Sequence, residues 1–501
     1  MLLEELVSRS AEVAASRSRL AKRDLLAELL RRVPEPEIEI AAAYLSGSLV
    51  QRRTGVGWRS LGALPEPAAT STVHVADLDA TLDRLSRLVG PGSATARRQE
   101  LADLFGRLTR SEQEHVRALL TGNLRQGAQD AVVLEAVAHA SGLPVSLVRR
   151  AAMFSGPTGP VARSALFGGA QALARFTLVV GRPVRPMLAG SAPDPAGAVG
   201  KVDGPFTVDT KLDGIRIQVH KGGDNVRVFS RSLDDLTDRL PAVVSAARAL
   251  PAQTLILDGE AMLVDRSGRP RPFQETASSS ASLDGTSEVQ PFFFDLLLRD
   301  GRALLEQPLS ERLEQLDAVV PAAASVTRAT GTTVEQAATF LDAAVASGQE
   351  GVVVKRLDSP YAAGRRGSAW VKVKPRHTLD LVVLAVEWGS GRRRGLLSNI
   401  HLGARSEDGW VMLGKTFKGM SDEMLAWQTE RFLALETHRD GHVVHLHPEQ
   451  VVEIAFDGVQ RSTRYPGGVA LRFARVLRYR DDKTADEADT IESVRGLLVR
   501  G

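Results

Sequence analysis

Only ten of the chain's 63 basic residues are lysines, so each lysine in this arginine-rich sequence invites a chemical reason for its presence. The segment Lys211-Leu-Asp-Gly-Ile-Arg216 sets one of them after the strand-like Phe206–Thr210 and before the strand-like stretch 215–219, at a turn that Asp213-Gly214 makes feasible. A lysine at such a strand end can point its amine into a pocket, where surrounding cations would leave a neutral nucleophile. Taken alone, the motif reads sooner as a hairpin with an exposed lysine. Leu257-Asp-Gly-Glu-Ala261 and Glu350-Gly-Val-Val-Val-Lys355 each place a carboxylate against a glycine and an apolar strand. Two such acids, Glu260 and Glu350, suit a hard divalent cation that takes oxygen ligands and screens a polyphosphate. In Trp370-Val-Lys-Val-Lys-Pro375 the two-residue period of a strand puts Lys372 and Lys374 on one face, a pair of point charges able to hold one phosphate. Any one of these elements could be a surface salt bridge. Four of them in this order point to phosphate chemistry at a lysine.

The surrounding chain has three textures. Residues 1–181 carry Leu, Ala, Arg and Val at helical spacing: Leu101, Leu104, Phe105 and Leu108 form one stripe, Val116, Leu119 and Leu120 begin another, and Ser111 with Glu114 reads as a capping box. This segment is expected to be all-α, without a repeat of solenoid length. The stretch Gly181–Leu188, followed by Ala192-Pro-Asp-Pro-Ala-Gly197, reads as a linker. Residues 182–375 alternate short strands (215–219, 226–229, 255–257, 292–294, 352–354) with helices near 235–250, 309–319 and 334–347, an α+β pattern. Residues 376–501 offer strands at 381–386, 400–402, 411–413, 451–454 and 471–473 and one helix near 421–436, which predicts a small β-barrel. The patch Ser278–Ser282 reads as a loop.

Composition bounds the function classes. At roughly 150 residues per domain, 501 residues make about three domains. The absence of cysteine excludes disulfides, a thiol nucleophile and Cys-ligated zinc or iron–sulfur sites. No apolar run reaches the roughly 18–20 residues of a membrane span, and the acidic start lacks a basic leader, so a soluble intracellular protein is expected. The net charge of +3 is small, but residues 84–181 hold 12 arginines against 6 acids, which allows a phosphate-facing surface there.

Taken together the motifs resemble those of the ATP-dependent DNA ligases, within the covalent nucleotidyltransferases that also include RNA ligases and capping enzymes. The set comprises Lys211–Arg216, Arg231 in Phe229-Ser-Arg-Ser, Leu257–Ala261, Phe292-Phe-Phe-Asp-Leu296, Glu350–Lys355, Trp370–Pro375 and Arg472-Phe-Ala-Arg-Val-Leu-Arg-Tyr-Arg-Asp-Asp-Lys483. Leu119–Gly127 is similar to the family's helical DNA-binding domain. The resemblance implies a multidomain fold: an all-α DNA-binding domain (1–181), an α+β adenylyltransferase domain (182–375) and a C-terminal OB-fold β-barrel (376–501). It implies that Lys211 attacks ATP to form lysyl-AMP, that AMP passes to the 5′-phosphate of nicked duplex DNA, and that the 3′-hydroxyl then displaces it. Lys372 and Lys374 would neutralise the α-phosphate, with Mg2+ near Glu260 and Glu350. Arg216 and Arg231 would bind ribose or the nick phosphate, and Phe294 would stack on adenine. Asp209 stands at the adenine contact, where relatives often carry Glu. Arg478, Asp482 and Lys483 would orient the departing pyrophosphate, and Ala474 replaces a common proline. A monomer located in the cytoplasm, with the nucleoid if bacterial, is expected.

RNA ligases and capping enzymes would share the central motifs, but the long helical segment ahead of Lys211 favours a grip on duplex DNA. An NAD-dependent ligase normally carries a Cys-ligated zinc. A non-catalytic nucleic-acid-binding module leaves the lysines at 211, 355, 372, 374 and 483 without a reason.

Overall fold

A computed structural model describes the chain except residues 52, 53, 63, 129, 266–270, 272–274, 277–288, 332, 365, 376 and 499–501, and the side chains of 59, 331 and 366. The Ser278–Ser282 patch lies outside the described residues. Two compact units emerge: Met1–Pro186 with His220–Gly222 and Arg231–Asp235, and Met187–Val219 with Gly223–Ser230 and Leu236–Gly501.

Helices dominate Met1–Pro186. Their apolar stripes close one core containing Leu3, Leu30, Tyr44, Leu82, Phe105 and Val133, and the predicted stripe Leu101, Leu104, Phe105 and Leu108 is buried. The capping box sits two residues before its expected place. Thr109, not Ser111, caps the helix Arg110–Leu120, and Glu112, not Glu114, reaches back to the Thr109 N–H at 2.8 Å. Glu112 is preferred because it is buried and also accepts from Ser71 Oγ at 2.6 Å. No helix among the described residues is long and apolar enough to cross a membrane.

In the second unit, strand alternation separates a core face from a chemical face. One five-stranded sheet has the order β1 (Leu188–Ala192), β10 (Arg366–Val373), β9 (Gly351–Arg356), β2 (Phe206–Lys211), β8 (Arg328–Gly331). Phe206, Val208, Val352, Val354, Val371 and Val373 point to one side and pack on helices Pro195–Val202 and Val334–Ala346. The alternate residues Asp209, Lys211, Val353, Lys355, Trp370 and Lys372 therefore share the other side. Part of the expected linker is ordered here: Ala192 ends β1, Asp194 caps the next helix by accepting from Gly197 N at 2.7 Å, and Pro195 occupies its first turn. The second five-stranded sheet runs β4 (Asn225–Ser230), β3 (Ile215–Gly222), β5 (Thr254–Met262), β6 (Gln290–Arg299), β7 (Arg302–Ala303). Beneath it the fully buried Arg312 is held two-pronged by Asp295 at 2.7 and 2.9 Å, so this buried charge is paired at both ends.

The C-terminal region is β-rich. The 12-residue β11 (His377–Trp388) pairs with β12 (Leu397–Ser406) on one side, and on the other with β15 (Val443–Leu446) near its end and β16 (Val451–Phe456) along its start. One strand serving two neighbours along a single edge curls the sheet into a half-barrel, which β13 (Gly409–Thr416), β14 (Glu436–Asp440) and β19 (Arg475–Tyr479) extend. Helix Asp422–Ala434 buries Leu425 and Phe432 against it. β17 (Gly458–Arg461) and β18 (Val469–Arg472) form a separate hairpin. The predicted strand at 471–473 stops at Arg472, because Phe473 turns into the left-handed region at φ 55°.

Candidate active site

Lys211 ends β2, opposite Gly351 of the antiparallel β9, and the Glu350 N–H donates to the Lys211 carbonyl at 3.1 Å. That register puts the Glu350 carboxylate beside the lysine amine. Glu350 is ion-paired through one oxygen with Lys211 and through the other with Lys374. Gly351 adopts φ 145°, and a Cβ added there would collide with the Val373 carbonyl oxygen. The glycine that follows the glutamate thus permits the three strands to meet. Burial works against the Lys374 ammonium, but Glu350, and then Asp457 at 3.3 Å, outweigh it and hold its pKa above the ordinary lysine range.

Arg216 on β3 is clamped by the buried Asp258 of β5, with Nε and Nη2 donating to its two oxygens at 2.7 and 2.6 Å. Tyr361 Oη donates to the same carboxylate at 2.6 Å and accepts from the Met187 N–H at 2.9 Å. Glu260, two residues along β5, lies against Gly214, where an added Cβ would stand 2.9 Å from the Glu260 Cγ. Glycine in the loop after Lys211 is what admits this carboxylate. Desolvation pushes its pKa up to about 7 despite the pull of Lys211 and Arg216.

Phe294 is partly exposed, with the Arg216 guanidinium 4.9 Å from its ring centre and Trp370 edge-on at 5.9 Å. Lys372 lies on the same face of β10 as Trp370 and is partly exposed. Asp209 is buried, its carboxylate ion-paired with Lys355 at 2.5 Å and Arg328 at 3.2 Å.

Lys211, Arg216, Glu260, Phe294, Glu350, Lys372 and Lys374 thus gather on or beside interior strands of the two five-stranded sheets. Arg231 is exposed and falls in the first compact unit. Arg478 pairs with Glu453 at 2.7 Å, Asp482 with Arg480 at 2.7 Å and Lys483 with Asp380 at 2.7 Å, all within the β-rich region. From that region it is Arg472 that reaches the lysine loop, at 2.6 Å from Asp213. Asp258, Tyr361, Asp457 and the Arg472–Asp213 pair were not picked out from sequence. Asp258 stood inside a quoted motif, whereas Tyr361 is one of only four tyrosines and carried no motif signal.

A lysine amine held by a carboxylate, a second lysine on that carboxylate and a partly exposed aromatic ring are the parts that binding a nucleotide and transferring its nucleotidyl group require. Residues 186–374 match the family described as ATP dependent DNA ligase domain, 393–483 the ATP dependent DNA ligase C terminal region, and 60–138 the DNA ligase N terminus. A probable DNA ligase of Beutenbergia cavernae is 64% identical, with 99% of each chain covered. One of Kineococcus radiotolerans is 57% identical over 99% of this chain and 100% of its own. The solved structure titled Pmar-Lig_PreS3 shares the fold at TM-score 0.64 and 19% identity, covering 95% of this chain and 99% of that one. The chain belongs to the ATP-dependent DNA ligase family.

Proposed function

We propose that the protein seals 5′-phosphate/3′-hydroxyl nicks in duplex DNA through lysyl-AMP and DNA-adenylate intermediates. The observation that carries this reading is the Lys211–Glu350–Lys374 bridge, which pairs a candidate nucleophile with a candidate phosphate ligand through one acid. The Lys211 amine would form a nitrogen–phosphorus bond to the α-phosphate as the bond to pyrophosphate breaks, and the amine's proton would be given up. AMP then passes to the 5′-phosphate, and attack by the 3′-hydroxyl releases it.

Lys374, with Lys372 on the same face, would take up charge on the α-phosphate, and Phe294 would stack on adenine. Arg216 has spent Nε and Nη2 on Asp258 and Met187, so its Nη1 edge is what would meet ribose or the nick phosphate. Among the described residues no three His, Asp or Glu side chains are grouped to hold a metal. Glu260 and Glu350 nevertheless fit Mg2+, which binds through one or two carboxylates and completes its shell with water and phosphate. Glu260 forms no ion pair among the described residues, and its reluctance to ionise marks a carboxylate that a cation would stabilise. When bound, the ion would supply charge neutralisation to the phosphates. The domain reading at 1–181, 182–375 and 376–501 accompanies this proposal. The helical segment would grip DNA, the half-barrel would complete an OB-fold, and Arg478, Asp482 and Lys483 would meet pyrophosphate. A soluble, cytoplasmic monomer is proposed.

Incubation with labelled ATP and Mg2+ tests the reading: an acid-labile, base-stable adduct should form, and Lys211→Ala and Lys211→Arg should both abolish it. An adduct on either variant overturns the assignment.

A further inference from the structure

Lys355 stands in β9, whose neighbouring core positions are filled by Val352 and Val354, yet it carries a charge into the protein at 2% exposure. Its Nζ lies 2.5 Å from Asp209 Oδ2, 4.5 Å from the centre of the Phe294 ring and 4.4 Å from that of Trp370, and it donates to the Phe294 carbonyl at 3.4 Å. The two rings meet nearly at right angles, 80° between planes. One ammonium therefore sits over both rings at the corner they make, and the Arg216 guanidinium, committed to Asp258, stands over the same rings at 4.9 and 5.8 Å. Cation–π attraction is directional toward the ring face, so a tethered ammonium resists rotation of either ring. The tether is itself fixed, because Asp209 accepts from Arg328 Nε at 3.2 Å on its other side and pairs in register with Arg328 across β2 and β8.

Stability alone does not account for this arrangement. A buried ion pair can often be replaced by apolar residues of similar volume without loss of stability, and the same strand already uses valine for its core. What valine could not do is hold Phe294 from within while leaving that ring partly exposed. We infer that Lys355 is the positioning residue of the nucleotide subsite: tethered to Asp209, it fixes Phe294 and Trp370 so that Phe294 presents a preset face to adenine. Lys355 touches no substrate and acts through the rings. The inference rests on the reading that Phe294 stacks on the base.

Preorganisation of a stacking surface appears in nucleotide affinity, not in the rate once ATP is bound. The test measures KM for ATP and kcat of lysyl-AMP formation in Lys355→Met, Lys355→Arg and Phe294→Ala. Methionine keeps the shape of the lysine and removes its charge, so KM should rise at least about tenfold with kcat within about threefold. Arginine keeps a cation over the rings and should restore KM to within about threefold of the parent. Because Lys355→Met orphans the buried Asp209 charge, the double variant Asp209→Asn/Lys355→Met, which leaves no unpaired carboxylate, serves where the single variant does not fold. It should show the same raised KM. A fall in kcat at unchanged KM, arginine no better than methionine, or a parental KM in the double variant overturns the role of Lys355. A raised KM in Phe294→Ala beside a parental KM in Lys355→Met rejects Lys355 alone. A parental KM in Phe294→Ala overturns the stacking reading and this inference with it.

Discussion

Glu350 is the point at which the pocket's charge balance is set, and Glu350→Gln isolates that balance from shape. Its carboxylate is 14% exposed and bridges Lys211 and Lys374, which are 22% and 21% exposed. At an effective dielectric of about 20, two unit charges about 4 Å apart attract by about 4 kcal/mol before desolvation is counted. Removing one member of a buried pair costs about 3–5 kcal/mol, and an exposed pair is worth about 1 kcal/mol or less. For groups with about a fifth of their surface in water, roughly 2–3 kcal/mol of positioning is at stake, which corresponds to roughly 30- to 150-fold in rate. The substitution also leaves two ammonium groups without their shared anion, so ATP meets a more positive pocket. The two effects act in opposite directions on two measurable constants. Single-turnover labelling across ATP concentrations should show a KM for ATP equal to or below the parental value, while the rate at saturation falls by about 100-fold. Sealing of a pre-adenylated nick should fall as well, since under the proposed function Lys374 and its acid would face phosphate in each step. A raised KM with an unchanged saturating rate would refute the reasoning, because Glu350 would then be a binding residue only.

Three further outcomes are expected. Asp482→Ala should slow self-adenylation by about 100-fold or more yet leave sealing of a pre-adenylated nick within about threefold, since pyrophosphate departs only in the first step. Small and equal changes in the two assays would confine Asp482, whose carboxyl Arg480 holds down at about 2, to its surface pair. Tyr361→Phe removes a hydroxyl that bonds the buried Asp258 and leaves the Met187 N–H without its acceptor, so denaturant melts should show a loss of about 2–4 kcal/mol. A loss below about 0.5 kcal/mol would mean that this network carries little load. His115 is buried in the helical unit, and desolvation lowers its pKa from 6.5 to about 4. A depressed pKa means stability present in full above 6.5 and lost as pH falls toward 4, amounting to about 3 kcal/mol. Melts of the parent and of His115→Gln between pH 7 and 4 should diverge accordingly, and parallel curves would sink the assignment.

How much was legible in the sequence depends on how local each signal is. Lys211, Glu260, Glu350, Lys372 and Lys374 could be read because each lies in a short motif whose strand period fixes its face. Tyr361 and Asp457 could not, because they reach the site through separate strands and loops, whereas Asp258 lies in the same motif as Glu260 and only its pairing with Arg216 needed the fold. Asp209 shows the same limit: its place two residues before Lys211 says nothing of the Lys355 and Arg328 that pair with it across neighbouring strands. Local punctuation also misled. Ala192-Pro-Asp-Pro-Ala-Gly197 reads as a linker, although an acid followed by proline is equally the start of a helix. Both Thr109/Glu112 and Ser111/Glu114 satisfy the capping template, and only the burial of Glu112 against Ser71 decides between them.

Burial sorts the pocket's ion pairs into two kinds. Asp258 and Asp209 are 1% exposed, and each is held by more than one donor, so an entering nucleotide cannot readily draw Arg216 or Lys355 away from them. The pairs made by Glu350 are more open, and Asp213 and Arg472 are 32% and 28% exposed, so these can exchange partners with water and phosphate at modest cost. ATP would therefore compete for Lys211 and Lys374 while Arg216 and Lys355 stay in place. The carboxylate that those two lysines would release would need a new counter-charge, and under the proposed function Glu350, beside Glu260, would be where a divalent cation joins the nucleotide. On this account the same acid that restrains the nucleophile before ATP arrives becomes available only when phosphate takes over its lysines. Nucleotide and cation should then bind with positive coupling, each tightening the other by the same factor, and Glu350→Gln should abolish that coupling while Lys355→Met leaves it intact.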